Sequence, residues 1–100
     1  MIYSVYEIKE RRNGLPPAPT AFIAKTQTLV DARKKASELV WKEHVAQVRR
    51  GTNTPIRKGI FSENGYLGKV VWCTKCERIL WNKDNTWYGV AYDGRLEGKV

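Results

Sequence analysis

The feature that most constrains the fold is a stretch of 21 residues, 29–49, that contains neither glycine nor proline. Thr28 precedes it and Asp31 follows three residues later, a spacing that resembles a capping box with aspartate in place of glutamate or glutamine. Gly51 comes soon after its end, so the pattern predicts one long helix over residues 29–49. Five apolar side chains fall within one sector of that helix and are expected to pack on a sheet: Leu29, Ala32, Ala36, Leu39 and Val40.

Two segments before the helix have the composition of β-strands. Residues 2–9 and 20–27 are rich in β-branched and aromatic side chains, which favour extended structure. Charges, an Asn-Gly pair and three prolines interrupt regular structure between them, so residues 10–19 are predicted to be a loop. This loop is too short for a helical crossover, and we therefore expect an antiparallel pair.

The chain after the helix is predicted to return to β-structure. Residues 50–68 have a loop-like composition, in which Asn64-Gly65 can close a short hairpin. Three strands are expected beyond this loop, at 69–72, 77–81 and 86–92. The fold class predicted is a single α+β domain spanning 1–100, in which one antiparallel sheet of about five strands, in the order β-β-α-β-β-β, packs on one long helix.

The charge balance indicates an anionic partner. Eighteen lysines and arginines against ten acidic residues give a formal charge of +8 and a pI near 9.7, and such a surface attracts nucleic acids. The alternative is that the charge serves only solubility. Eight of the cations lie between residues 33 and 58, and segment 49–59 combines four of them with small polar residues that can approach phosphates.

Lys35, Lys42 and Arg49 are spaced by seven residues, so they are expected to form a basic ridge on the helix, pointing away from the sheet. Alternation along strand 86–92 puts Trp87 on the face opposite the helix, where it can stack on a nucleobase or cover a neighbouring strand. The residues expected to bind nucleic acid are Lys35, Lys42, Arg49, Arg50, Arg57, Lys58 and Trp87.

A second apolar group lies on the helix outside the first stripe. Trp41, Val45 and Val48 collect on a different side of the cylinder, where a loop can fold over them or a partner can dock. Tryptophan and arginine are common anchors of protein interfaces. These three residues are therefore the predicted partner-binding residues.

Cys73 and Cys76, in "WCTKC", allow three interpretations. A zinc site needs four ligands, and since His44 is the only histidine, a site would need a carboxylate or a symmetric dimer. The motif resembles the W-C-x-x-C of thioredoxin-like proteins, but those folds continue well beyond the 24 residues that follow Cys76. We favour a reduced pair that fills the sheet as small apolar side chains, with both cysteines as weak metal candidates and no resident cofactor.

The motifs of enzymes are missing from the sequence. It contains no phosphate-binding glycine loop and no dinucleotide fingerprint, and His44 has no evident nucleophile beside it in sequence. We therefore expect no catalytic residues. The absence of a basic, apolar leader and of a membrane span, together with only two cysteines, favours a cytoplasmic protein.

Two functions are carried forward from these patterns. The first is a small noncatalytic nucleic-acid-binding protein that uses the basic ridge and the following loop on phosphates. The second is a protein-interaction module or inhibitor that docks its basic and aromatic face on an acidic groove. In either case the chain is expected to be a monomer or homodimer with no membrane partner.

Overall fold

The computed structural model describes all residues, 1–100. The chain forms one helix and one seven-stranded sheet, joined by loops and turns. The strand order across the sheet is β2-β1-β3-β4-β5-β6-β7, and every neighbouring pair is antiparallel. The α+β class and the antiparallel sheet on one helix are confirmed, but the sheet has seven strands rather than about five. The elements are β1 Tyr3–Lys9, β2 Ala18–Thr26, α1 Leu29–Arg50, β3 Arg57–Ser62, β4 Gly65–Cys73, β5 Arg78–Lys83, β6 Thr86–Val90 and β7 Leu96–Lys99.

Helix α1 begins and ends where the sequence signals lie. The Thr28 hydroxyl accepts a hydrogen bond from the Asp31 N–H at 3.1 Å, which satisfies one of the free donors of the first turn. Gly51 adopts the left-handed conformation, with φ of 72°, and its N–H bonds to the carbonyls of Gln47 and Val48. The predicted helix is therefore confirmed, with one more residue at its C-terminus.

The core lies between α1 and one face of the sheet. Val5, Ile60, Val70 and Trp81 come from four adjacent strands and are buried. Ala32, Ala36 and Val40 of α1 face them and are fully buried; because two of these are alanines, the helix lies close to the sheet. We call this the covered face. No helix packs on the opposite side of the sheet, which we call the open face.

The strands that sequence patterns missed have weak β-signals of their own. Residues 50–68 were expected to be a loop, but they contain β3 and the start of β4. β3 reads RKGIFS. Two cations and a glycine are not typical of a strand, but here carboxylates from other elements pair with the cations. β7 reads LEGK, an exposed edge strand without β-branched residues. β2 also begins earlier than expected, at Ala18 within the predicted loop 10–19.

No helix in the structure combines the length and apolarity that crossing a membrane requires.

Candidate functional site

The cations of α1 divide into one buried residue and five that have no ion-pair partner. Arg33 is buried, and its Nε–H donates to the Gly94 carbonyl at 2.9 Å while the guanidinium lies 5.6 Å from the Trp81 ring centre. Burial lowers the pKa of Arg33 from its ordinary value. No salt bridge includes the other five, which therefore remain available to an external anion: Lys34, Lys35, Lys42, Arg49 and Arg50.

Of the basic ridge predicted from sequence, Lys42 and Arg49 are exposed and Lys35 is half-buried. Their spacing places them on one side of the helix, and a rise of about 1.5 Å per residue separates the ends of this ridge by roughly 20 Å. The carboxylates of α1 that remain unpaired and exposed are Asp31 and Glu38. The ridge is thus cationic, and its positive character increases toward the C-terminus of the helix.

Lys58 was expected in a basic loop, but it lies on β3 with its side chain on the covered face. The side chain is 5% exposed, and Nζ lies 2.6 Å from Glu43 Oε2 and 2.9 Å from Glu7 Oε1. A charge buried to this extent requires such partners. Lys58 as placed therefore serves to join α1, β1 and β3 and is not accessible to a phosphate.

Arg57 also lies on β3 rather than in a loop, and its side chain is on the open face. Its Nε is 3.4 Å from Glu10 Oε1, an ion pair without a hydrogen bond. Lys69 Nζ reaches the same carboxylate oxygen at 2.8 Å. A phosphate would have to compete with Glu10 for Arg57, so the predicted basic segment 49–59 does not form one continuous cationic surface.

The connection between α1 and β3 carries no charge and is held in place. Residues 51–56 read GTNTPI. The Gln47 side chain donates from Nε2 to the Thr54 hydroxyl at 2.8 Å and accepts from the Thr54 N–H at 3.1 Å. The Trp72 N–H donates to the Ile56 carbonyl at 3.1 Å. These bonds fix the loop against the end of the helix and against β4.

A cleft of about 510 Å³ lies between the C-terminal end of α1, the loop 51–56 and the end of β4. At its floor, the His44 ring stacks on Trp72 with centroids 3.9 Å apart and planes inclined by 21°. Trp41 lies beside both rings, at 5.6 Å from His44 and 5.9 Å from Trp72. The residues that line the cleft are His44, Gln47, Val48, Thr52, Asn53, Thr54, Pro55, Ile56, Trp72 and Thr74. None of them is acidic.

Of the three predicted partner-binding residues, Val48 lines this cleft and Trp41 lines the depression beside it. Trp41 is 51% exposed, Val48 is 65% exposed and Val45 is half-buried. No loop covers Trp41 or Val48, in contrast to the intramolecular alternative considered from sequence. Lys42 and Arg49 follow Trp41 and Val48 in the chain, about 100° further around the helix axis, so the cationic ridge runs beside the apolar group on the side away from the sheet.

Trp87 lies on the open face, as strand alternation predicted, but far from the helix. It pairs with Asn82 in the ladder and is 38% exposed. Val71 and Leu80 line the same shallow pocket beside it. Since the sheet separates Trp87 from the basic ridge, the two do not belong to one contact surface.

Cys73 and Cys76 do not fill the sheet, and they are not reduced. Cys73 ends β4 and Cys76 lies in the exposed turn before β5. The two residues form a disulfide, and the Cys76 N–H donates to Cys73 Sγ at 3.3 Å. Glu77 follows with a left-handed φ of 52°, which allows the tight turn to enter β5. The sequence interpretation as a packed, reduced pair is thus wrong, because β4 ends at Cys73 and β5 begins at Arg78, which leaves Cys76 in the exposed turn between them.

The structure contains no group of three or more histidine, cysteine, aspartate or glutamate side chains that could hold a metal ion. His44, the one histidine, is stacked on Trp72 rather than directed at the cysteines. These residues therefore do not assemble the four ligands that a structural zinc site uses.

Sequence reasoning did not identify the cleft. His44 and Trp72 are 28 residues apart, so no local pattern connects them. The available signal was in the last turns of the helix. There the core stripe continues with Glu43 and Gln47, while the apolar side chains lie on another side of the helix. That signal correctly indicated a second surface, but the loop and strand that complete it come from the tertiary fold.

Compared with known proteins, the chain matches no protein-family model, no curated protein and no solved structure. The function must therefore be inferred from the chemistry of its surfaces.

Proposed function

We propose that this protein is a small noncatalytic nucleic-acid-binding protein whose main contact surface is the exposed side of α1. The observation that carries the proposal is the concentration of unpaired cations on α1, in contrast to the cations of β3 and β4. Arg57, Lys58 and Lys69 are engaged by carboxylates, whereas five cations of α1 have no ion pair. Unpaired cations bind phosphates without first displacing an internal partner.

Salt dependence of binding tests this function. If the five helix cations each contact a phosphate, log K falls with log salt at a slope of roughly −4.5 on duplex DNA and roughly −3.5 on single strands. Fluorescence anisotropy of labelled single-stranded and duplex oligonucleotides, titrated at several salt concentrations, measures the slope. Absence of binding to both at low salt would remove the proposal.

A matched pair of double variants distinguishes a contact surface from net charge. Lys42→Gln with Arg49→Gln removes two charges from the ridge. Lys25→Gln with Lys83→Gln removes two exposed, unpaired charges elsewhere. The ridge variant should reduce the magnitude of the slope by about 1.4–1.8, from about 0.7–0.9 for each lost contact, and the control should change it much less. Equal effects would show that only the overall charge matters.

The second candidate function is a protein-interaction module that binds an acidic groove. Exposure of Trp41 and Val48 next to Arg49 favours it, because aromatic and arginine anchors dominate many interfaces. A protein partner that still co-purifies after nuclease treatment, but does not co-purify with Trp41→Ala, would support this candidate. A partner that disappears with nuclease would return the assignment to nucleic acid.

A cytoplasmic location and a monomeric or homodimeric state remain part of the proposal. Cell fractionation tests the first, and the mass in solution tests the second.

A further inference from the structure

The cleft beside Trp41 has the surface chemistry of a site for unpaired nucleobases. Its polar lining consists of neutral amide and hydroxyl groups from Thr52, Asn53, Thr54 and Thr74. Gln47 is already bonded through both ends of its amide to Thr54, whereas the exposed Asn53 side chain makes no hydrogen bond within the protein. Side-chain amides recognise the hydrogen-bonding edges of bases.

Aromatic surface is available at the same place. One side of Trp72 is occupied by His44, but Trp41 is half-exposed and lines a depression that adjoins the cleft and shares His44, Trp72 and Thr74 with it. Base stacking on an exposed tryptophan is a general means of binding single strands.

Charge around the cleft matches a polyanion. Lys42 and Arg49 lie on the helix beyond Trp41 and Val48, about 100° further around the axis on the side away from the sheet, and the exposed Lys75 follows the lining residue Thr74. Two carboxylates lie near Trp41: Glu77 borders the depression next to it, and Glu38 lines a second pocket that Trp41 shares. A strand that leaves the cleft over Trp41 and Val48 can thus reach Lys42 and Arg49 with its phosphates, while its other end passes Lys75.

We propose that the cleft and Trp41 bind unpaired bases of a single-stranded nucleic acid whose phosphates are held by Lys42, Arg49 and Lys75. This inference rests on the proposed nucleic-acid-binding function and specifies its substrate as single-stranded. Bases within a duplex are paired and stacked on one another, so they cannot reach Trp41 or the amide of Asn53.

The test compares a mixed-sequence single-stranded oligonucleotide, its duplex and an abasic strand of equal length, at one salt concentration. We expect the single strand to bind at least about tenfold more tightly than either the duplex or the abasic strand, the scale of one base stack. Trp41→Ala should remove most of that preference. Asn53→Ala, in an exposed loop, should weaken single-strand binding in the same direction.

Phe22→Ala is the matched control, because Phe22 is 53% exposed on the open face and equals Trp41 in exposure. It should leave the preference unchanged. Circular dichroism and urea unfolding establish that each variant is folded; if Trp41→Ala is not, Trp41→Leu and Asn53→Ala replace it.

The outcomes separate this inference from the function on which it rests. Equal binding of single strand, duplex and abasic strand, with the ridge double variant still weakening all three, would overturn the cleft and leave the function standing. Loss of preference in Phe22→Ala but not in Trp41→Ala would also overturn it and place base stacking on the open face. No binding to any of the three would remove the function itself.

Discussion

The two faces of the sheet differ in how their side chains are satisfied. On the covered face, Val5, Ile60, Val70 and Trp81 are fully buried under α1, and Lys58 is the one buried cation of the strands, held by two carboxylates. The open face instead has a row of aromatic rings in edge-to-face contact at 5.3–5.6 Å, across four adjacent strands. That row is Phe22, Tyr6, Phe61 and Tyr66.

The difference shows that the open face stabilises itself by contacts within its own layer. Edge-to-face pairs bury part of each ring against its neighbour, and Glu10 joins Arg57 and Lys69 across two strands. Arg78 similarly covers Gly89 and pairs with Glu97. Aromatic residues on an uncovered sheet therefore do not by themselves indicate a binding surface, and this is why we place the interface on the helix side.

Two tryptophans on neighbouring strands provide the largest contrast between the faces. Trp81 is 1% exposed on the covered face, and Trp87 lies on the open face. Trp81→Ala should lower the free energy of unfolding by about 3–5 kcal/mol, because it leaves a cavity under α1. Trp87→Ala should cost about 1–2 kcal/mol, because solvent can fill the space. Urea unfolding measures both; equal costs would mean that the open face is as tightly packed as the core.

The sequence predicted those elements whose local signals all indicate the same secondary structure. Helix α1 was recognised because its cap, its apolar stripe and its terminal glycine point to the same structure. Strand β3 was not, since its Arg57 and Lys58 are polar in sequence and are neutralised only by Glu7, Glu10 and Glu43 from other elements. Pairing of charges across the fold has no signature in a single segment.

The candidate site was predictable in part for the same reason. Lys42, Arg49, Trp41 and Val48 were identified because helical spacing alone determines which residues share a side. Lys58 was included because β3 was predicted to be a loop, and Trp87 was included for its stacking surface although strand alternation placed it opposite the helix. The cysteine pair was misassigned for a different reason: the turn between β4 and β5 brings the two sulfur atoms together, and the sequence spacing does not distinguish this from a packed, reduced pair.

Two glycines extend the comparison with smaller effects. A Cβ at Gly68, on the covered face, would lie 2.5 Å from the Asn82 carbonyl oxygen and 2.6 Å from Trp81 Cη2. Because backbone and a buried ring cannot easily move, Gly68→Ala should cost about 2–3 kcal/mol. A Cβ at Gly59, on the open face, meets Cγ2 of Ile8 and, at 3.1 Å, Cε1 of Phe61. Ile8 is stiff at χ1, but only side chains have to shift, so Gly59→Ala should cost about 1–2 kcal/mol.

Chemical denaturation of both variants measures this difference, and the wild-type slope with denaturant should be retained. If Gly59→Ala proved the more damaging, the open face would be the more rigid of the two. The open face would then tolerate an added methyl group less well than the covered face, independently of the result for the two tryptophan variants.

The smallest expected effect concerns Tyr66, at the end of the aromatic row. Burial, with a further contribution from the Glu10 carboxylate, raises the pKa of Tyr66 to about 12 from an ordinary value of 10.0. The folded state therefore keeps the phenol protonated where the unfolded chain releases the proton. The free energy of unfolding is therefore unaffected by this group below about pH 10 and decreases as the pH rises from there toward 12. Because Tyr66 is half-buried, solvent screening reduces this contribution.

Ultraviolet absorbance of the phenolate follows the titration of Tyr66, and comparing the alkaline unfolding of wild type with that of Tyr66→Phe isolates the contribution of Tyr66 to stability. Glu10→Gln should lower the pKa of Tyr66 while leaving it above the ordinary value, because burial is the larger cause. A Tyr66 that titrates near 10 in the folded protein would show that the open face is more hydrated than its edge-to-face contacts indicate.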